Sequence, residues 1–365
     1  MHLCLSISLA VPPSPPPALP LAPGSGWFVV FSVPTPGLSA PRTEISPRTV
    51  TVPVARMVHV LGPWMINLLD WGTNILRMSI TPLITACVPV SIGTARFLSA
   101  PQNTAPAEAR VTTVDGCRLA CDIEGPDEAP ACLLLHSLGT TSELWAPQRE
   151  RFRRVFRLIR YDARGHGRSQ PPVGPYTLGQ LGRDALAVLD AAGVDRAHVC
   201  GVSLGGLTAL WLGVHAPDRV GRIVAANTAA RLGSRDGWAE RIRVVRAEGI
   251  AAVAQGGIAR WFSDRFRDRE PATVERFRSM LLSCSVDGYA GGCAVLRDAD
   301  LRDEIGQIGA ETLVITGRHD LATPPALGEL VQKRVVGSHR LVLDAAHLSN
   351  VEQADAFTAG VLDFL

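Results

Sequence analysis

The run His198-Val199-Cys200-Gly201-Val202, then Ser203-Leu204-Gly205-Gly206, then LTALWLGVHA (Leu207 to Ala216), decides the fold. The first five residues are a short apolar run of the kind that forms a buried strand, and the last ten follow a helical pattern. Ser203 lies between them, on a sharp strand-to-helix turn. Such a turn crowds backbone against backbone, and Gly201 and Gly205, two residues before and two after the serine, relieve it. G-x-S-x-G arises by chance in a chain with 34 glycines. The strand before it and the helix after it are what make Ser203 an exposed nucleophile rather than a loop serine.

Outward from this turn, short apolar runs alternate with helical stretches, as a mostly parallel sheet covered by helices requires. Strands are expected near Arg110 to Val114 and Cys117 to Ile123. Further strands follow at Ala131 to His136, Phe156 to Tyr161, His198 to Val202, Val220 to Ala226, Glu311 to Thr316 and Ser338 to Leu343. Residues 231–306 are Arg-rich, helix-patterned and free of a strand signal, and read as a helical lid inserted after strand six. The core is then 110–230 and 307–365.

A nucleophilic serine needs a base and an orienting acid, in the chain order Ser, Asp, His for a turn of this kind. Asp320 follows the strand ETLVIT and precedes the turn Thr323-Pro324-Pro325; His347 follows RLVLDAA and precedes the last helix. Of nine histidines these positions single out His347. His319, just before the acid, reads as structural, and Asp298, Asp300 and Asp303 read as the solvated face of the lid. The oxyanion hole calls for two backbone amides, those of Leu204 and of Leu138 in His136-Ser137-Leu138-Gly139. His136 reads as a strand-end residue that fixes this loop.

Residues 110–365 resemble the α/β-hydrolase superfamily and, within it, the 3-oxoadipate enol-lactonases. The resemblance is carried by LLLHSLGTTSELWAPQ (Leu133 to Gln148), RYDARGHGRSQPP (Arg160 to Pro172), CGVSLGGLTALWLGVHAPDRV (Cys200 to Val220), ANTAARLGSRDGWAERI (Ala226 to Ile242), ARWF (Ala259 to Phe262) and DAAHLSNVEQADAF (Asp344 to Phe357). It implies an eight-stranded α/β-hydrolase fold and hydrolysis of an anionic enol-lactone through an acyl-enzyme, with no metal or organic cofactor. The substrate's carboxylate needs a buried cation, because an unpaired buried charge costs several kcal/mol. Arg231, at the hand-over from core to lid, is the first choice and Arg260 the second; Trp145 and Trp238 are expected as apolar walls. Other activities of the same superfamily share the triad: another carboxylic ester hydrolase, a perhydrolase, a carbon-carbon bond hydrolase, or a lactone-binding receptor.

The chain has 365 residues, 47% of them apolar and 19% charged, enough for a sizeable core. Its formal net charge is +2. Five basic and three acidic residues precede position 110, and the remaining 31 of each cancel. A neutral body gives no electrostatic case for nucleic acid. The eight cysteines lack paired C-x-x-C spacing and read as buried thiols, which suits a reducing cytoplasm. Seventeen of 27 prolines also precede position 110. Residues 1–109 are therefore expected to be a disordered extension or to lie upstream of the true start, with Val11 to Pro53 unable to hold a helix or a ladder of strands. An amphipathic helix is expected within Met57 to Met78. The uncharged run between Arg77 and Arg96 contains Pro82 and Pro89 and is not expected to cross a membrane.

Overall fold

The computed structural model describes residues 107–365 together with four short strands before them. The body is one compact unit, Pro101–Leu365, and holds an eight-stranded sheet. Its strands are β1 Ala107–Thr112, β2 Arg118–Glu124, β3 Ala131–Leu135, β4 Arg157–Tyr161, β5 Ala197–Val202, β6 Val220–Ala226, β7 Thr312–Gly317 and β8 His339–Leu343. Their spatial order is β1-β2-β4-β3-β5-β6-β7-β8. β1 and β2 pair antiparallel, as do β2 and β4; every later pairing is parallel. Helices α1 Ala146–Phe152, α2 Leu178–Ala191, α3 Leu204–His215, α9 Pro325–Arg334, α10 Ser349–Glu352 and α11 Ala354–Phe364 belong to the core. The central strands are buried along nearly their whole length, which explains why they read as continuous apolar runs rather than alternating ones. Order reverses at β3, β4 and β5, and a ligand crevice in such sheets opens at the strands' carboxyl ends beside the reversal.

Between β6 and β7 the chain makes five helices: α4 Arg235–Glu248, α5 Ala251–Trp261, α6 Asp264–Arg269, α7 Pro271–Leu282 and α8 Val286–Asp298. Ser234, Ser263 and Ser285 cap α4, α6 and α8, each accepting a backbone N–H at the third helical position. α8 is the buried one, every residue from Gly288 to Leu296 being enclosed. Its glycines allow that. A methyl on Gly288 would strike the carbonyl of Gly165, one on Gly291 the ring of Tyr176, and one on Gly292 Leu138. The helix therefore rests directly on the turn after β4 and on the loop after β3.

Three expectations are corrected. The first strand begins at Ala107, so residues 107–109 belong to the body: Glu108 and Ala109 pair with Asp122 and Cys121, directly after Pro106, a residue that can open a strand but not donate within it. In the extension, Phe28–Phe31 pairs antiparallel with Val50–Pro53, and Met65–Leu68 with Met78–Thr81. These four-residue runs fall between the prolines, with Pro53 only at a strand end. The second pair replaces part of the expected helix within Met57 to Met78, and the first is a ladder within Val11 to Pro53. The rest of that helix, the remaining extension, Cys4 and Cys87 lie outside the described residues. The other six cysteines are buried free thiols. Among the described residues no single helix is long and apolar enough to cross a membrane.

Candidate active site

Ser203 adopts φ 57° and ψ −115°, a left-handed conformation that costs energy for any residue but glycine and that the neighbouring glycines permit. A Cβ on Gly201 would strike the carbonyl of Gly205, and one on Gly205 would strike that of Leu135 at the end of β3. The turn is pinned from β6: Ser203 N donates to Ala226 O at 2.9 Å, and Thr228 Oγ1 to Ser203 O at 2.7 Å.

His347 Nδ1 lies 2.9 Å from Asp320 Oδ2, both side chains almost wholly buried. That bond fixes the tautomer, with the proton on Nδ1 and the lone pair on Nε2. Asp320 accepts from Thr323 Oγ1 at 2.6 Å through Oδ2, and from the amides of Ala322 and Thr323, each at 2.8 Å, through Oδ1. Burial alone would raise its pKa, but the neighbouring His347 and these hydrogen bonds outweigh burial and hold the carboxyl below its usual range. It stays ionised.

Asn227, which sequence reasoning missed, joins the two halves. It sits between Ala226 and Thr228, the residues that hold Ser203, at φ 45°, a conformation asparagine tolerates better than most. Its Nδ2 donates to Asp320 Oδ2 at 3.0 Å and to Ala346 O at 3.3 Å, its Oδ1 accepts from Ser349 Oγ at 2.5 Å, and its backbone N donates to Ile315 O at 2.8 Å. The elbow, the acid loop and the histidine loop thus meet on one side chain. An asparagine ending a buried strand was the only signal in the sequence.

The expected oxyanion donors are unengaged. Leu204 N is the first amide of α3, which has no acceptor within its helix, and Leu138 N has no acceptor among the described residues. The next amide, Gly139 N, is taken by His166 Nε2 at 3.1 Å. His166 Nδ1 donates to Arg164 O at 3.1 Å, and His136 uses Nδ1 toward Ser137 O and Nε2 toward Ala163 N, both at 2.8 Å. Two neutral imidazoles therefore tie the loop after β3 to the turn after β4. Burial, and next the neighbouring His136 imidazole, push His166 down to about 4.

An α/β-hydrolase fold family model matches residues 130–354. The chain belongs to the α/β-hydrolase family. It is 40% identical to 3-oxoadipate enol-lactonase 2 of Acinetobacter baylyi over 237 residues, 65% of this chain and 89% of that protein. The enol-lactonase of Burkholderia xenovorans LB400 superimposes with a TM-score of 0.69 at 41% identity, covering 70% of this chain and 99% of that one. A hydrolase of Pseudomonas aeruginosa PA01 does so with 0.69 at 45% identity, over 70% and 97%.

In this hydrolase the other expected residues are scattered. Arg231 is 37% exposed and pairs with Asp300 at 3.2 Å, which also binds Arg302, so it is a surface ion pair and not a waiting cation. Trp145 is fully buried against Phe357, in the core between α1 and α11, and is no pocket wall. Trp238 is half-buried at the start of α4, its Nε1 donating to Leu232 O at 2.7 Å and its ring under Arg241. Arg260 is half-buried and makes no ion pair among the described residues. His319 pairs with Asp344 at 2.8 Å on the surface.

Proposed function

We propose that the protein hydrolyses 3-oxoadipate enol-lactone to 3-oxoadipate, in the degradation of protocatechuate or catechol, with Ser203 as nucleophile, His347 as base and Asp320 as its orienting acid. The observation that carries this is the strained Ser203 elbow linked through Asn227 to the Asp320–His347 pair; the likeness to enol-lactonases supplies the substrate. Ser203 Oγ attacks the ring carbonyl while its proton passes to His347 Nε2. The amides of Leu138 and Leu204 receive the negative oxygen. The ring C–O bond then breaks, His347 returns the proton to the departing enolate oxygen, and the enol tautomerises to the ketone. Water attacks the acyl-enzyme with His347 again as base, releasing the dicarboxylate and restoring Ser203. The helices between β6 and β7 act as the lid, and the reaction calls on no metal or cofactor.

The test is loss of enol-lactone absorbance with purified protein. Wild type should turn over steadily, and Ser203→Ala should fall by at least about a thousandfold while keeping its fold. A variant retaining a tenth of the wild-type rate, or a wild type that stops after one turnover, would falsify the reading, the second outcome favouring a lactone-binding receptor.

A further inference from the structure

The loop that carries His347 is held on both sides of that residue. Ala346, just before it, has its carbonyl held by Asn227 Nδ2 at 3.3 Å and its N–H held by Glu352 Oε2 at 3.1 Å. Leu348, just after it, donates its N–H to Trp261 O at 3.0 Å. The Asn227 hold comes from the core, just after β6, and the Trp261 hold from the last residue of α5, in the inserted helices. Glu352, a buried residue of α10, ties the loop to the insertion a second time. Its Oε2 also accepts the N–H of Ser263 at 3.2 Å, and its Oε1 accepts the Ser263 hydroxyl, whose oxygen in turn caps α6 by accepting Phe266 N–H at 3.2 Å.

Three consecutive residues of the insertion meet here. Trp261 touches the histidine loop through its carbonyl, and its Cη2 would lie 3.4 Å from a methyl on Gly139 in the oxyanion loop. Phe262 is wholly buried among the inserted helices, its ring centre 5.1 Å from that of Phe266 and 5.4 Å from that of Phe277. Ser263 opens α6 and binds Glu352. Burying a carboxyl is costly unless its oxygens are satisfied, and an apolar side chain of that size fills such a place at lower cost. What the carboxyl does that an apolar side chain cannot is hold Ala346 and Ser263 together. We propose that Glu352 is a positioning residue for His347: it latches the start of α6 to the histidine loop, so that the seated inserted helices set the place of the imidazole that serves Ser203. The proposal rests on the reading of Ser203 and His347 as nucleophile and base, and not on the identity of the substrate.

The experiment follows inactivation of the full-length protein by diisopropyl fluorophosphate, in which Ser203 Oγ bonds to phosphorus, fluoride leaves and His347 takes the proton. The rate constant, read by mass at a temperature well below each variant's unfolding midpoint, reports on the base without any lactone. Glu352→Ala should slow labelling about ten- to a hundredfold, the range expected when a catalytic group is displaced by about an ångström. Glu352→Gln should recover most of the loss, because its amide oxygen can accept both backbone N–H groups while its NH2 donates to Ser263 Oγ. Ser263→Asn and Ser263→Asp both keep a cap on α6, but only asparagine keeps a donor for Glu352. The aspartate variant should label roughly tenfold more slowly than the asparagine variant at about pH 8, where two carboxyls repel. Val361→Ala, at a buried position of α11, should lower the unfolding midpoint and leave the rate unchanged. Equal rates in the Ser263 pair, a Glu352→Ala rate within threefold of wild type, or a glutamine variant no faster than the alanine one overturns the latch; the Ser263 pair decides alone where Glu352→Ala does not fold. A wild type unlabelled at Ser203 overturns the nucleophile reading and the latch together. Expected labelling in every variant, with a wild type that ignores the enol-lactone, supports the latch and defeats the enol-lactone reading.

Discussion

Asn227 shows how much of a catalytic site is held by a residue that does no chemistry. Its amide gives Asp320 one of the bonds that keep the carboxylate ionised and gives the histidine loop its anchor at Ala346. Asn227→Asp sets a second carboxyl against Asp320, and two buried carboxyls this close share one proton, so the acid that orients His347 is partly neutralised. The maximal rate should fall about tenfold or more. An unchanged rate would make Asn227 a packing residue only. Asn227→Ala should cost about 2–3 kcal/mol in denaturant unfolding, from the lost buried bonds and the strain of alanine at positive φ. Ser203, Asp320 and His347 were legible because each stands in the loop or turn that follows a strand, where the local chemistry announces it. Asn227 was not, because its partners are 93, 119 and 122 residues away and only the assembled sheet brings them to it. Arg231 misled for the converse reason. Its place at the core boundary fits a ligand contact, but Asp300, 69 residues later, claims it.

At the scale of elements, the turn after β4 works as a bracket between α8 and the loop that presents Leu138. His166 is its upper arm, holding Gly139 N–H on one side and Arg164 carbonyl on the other. His166→Leu should lower kcat by about ten- to a hundredfold with little change in KM, because the loop loses its register while the substrate's other contacts persist. The same residue leaves a mark on stability. Its folded pKa, about 4, lies below the ordinary 6.5, so the unfolded chain binds one proton more throughout that interval. Its contribution is full above pH 6.5 and declines as pH falls toward 4, by about 1.4 kcal/mol per pH unit. Urea unfolding at pH 7, 6 and 5 should show a shallower decline in His166→Leu than in wild type; parallel curves would mean that His166 titrates normally. The sequence disclosed the helices of the insertion through their periodicity. It did not disclose which one is buried, since Gly288, Gly291 and Gly292 weaken a helix locally, and their value lies in what they let approach.

At the scale of the whole molecule, every proposed catalytic and binding residue lies within Pro101–Leu365, and the unit Met1–Ala100 contributes none. A protein beginning at Pro101 should keep kcat/KM within about twofold of the full chain and an unfolding midpoint within a few degrees. A soluble but inactive truncated protein would show that the extension serves the site. The body was legible as a whole because a parallel sheet writes each strand as an uninterrupted apolar run. The paired strands of the extension were hidden by the prolines around them, which dominate composition without entering the four-residue ladders. The glycine face of α8 also bears on redesign. Libraries meant to change specificity can vary α4 and α5, but not Gly288, Gly291 or Gly292. A cap transplanted from a related hydrolase would have to arrive with its own 162–176 turn, because here the unit of exchange is the helix and the surface moulded to it.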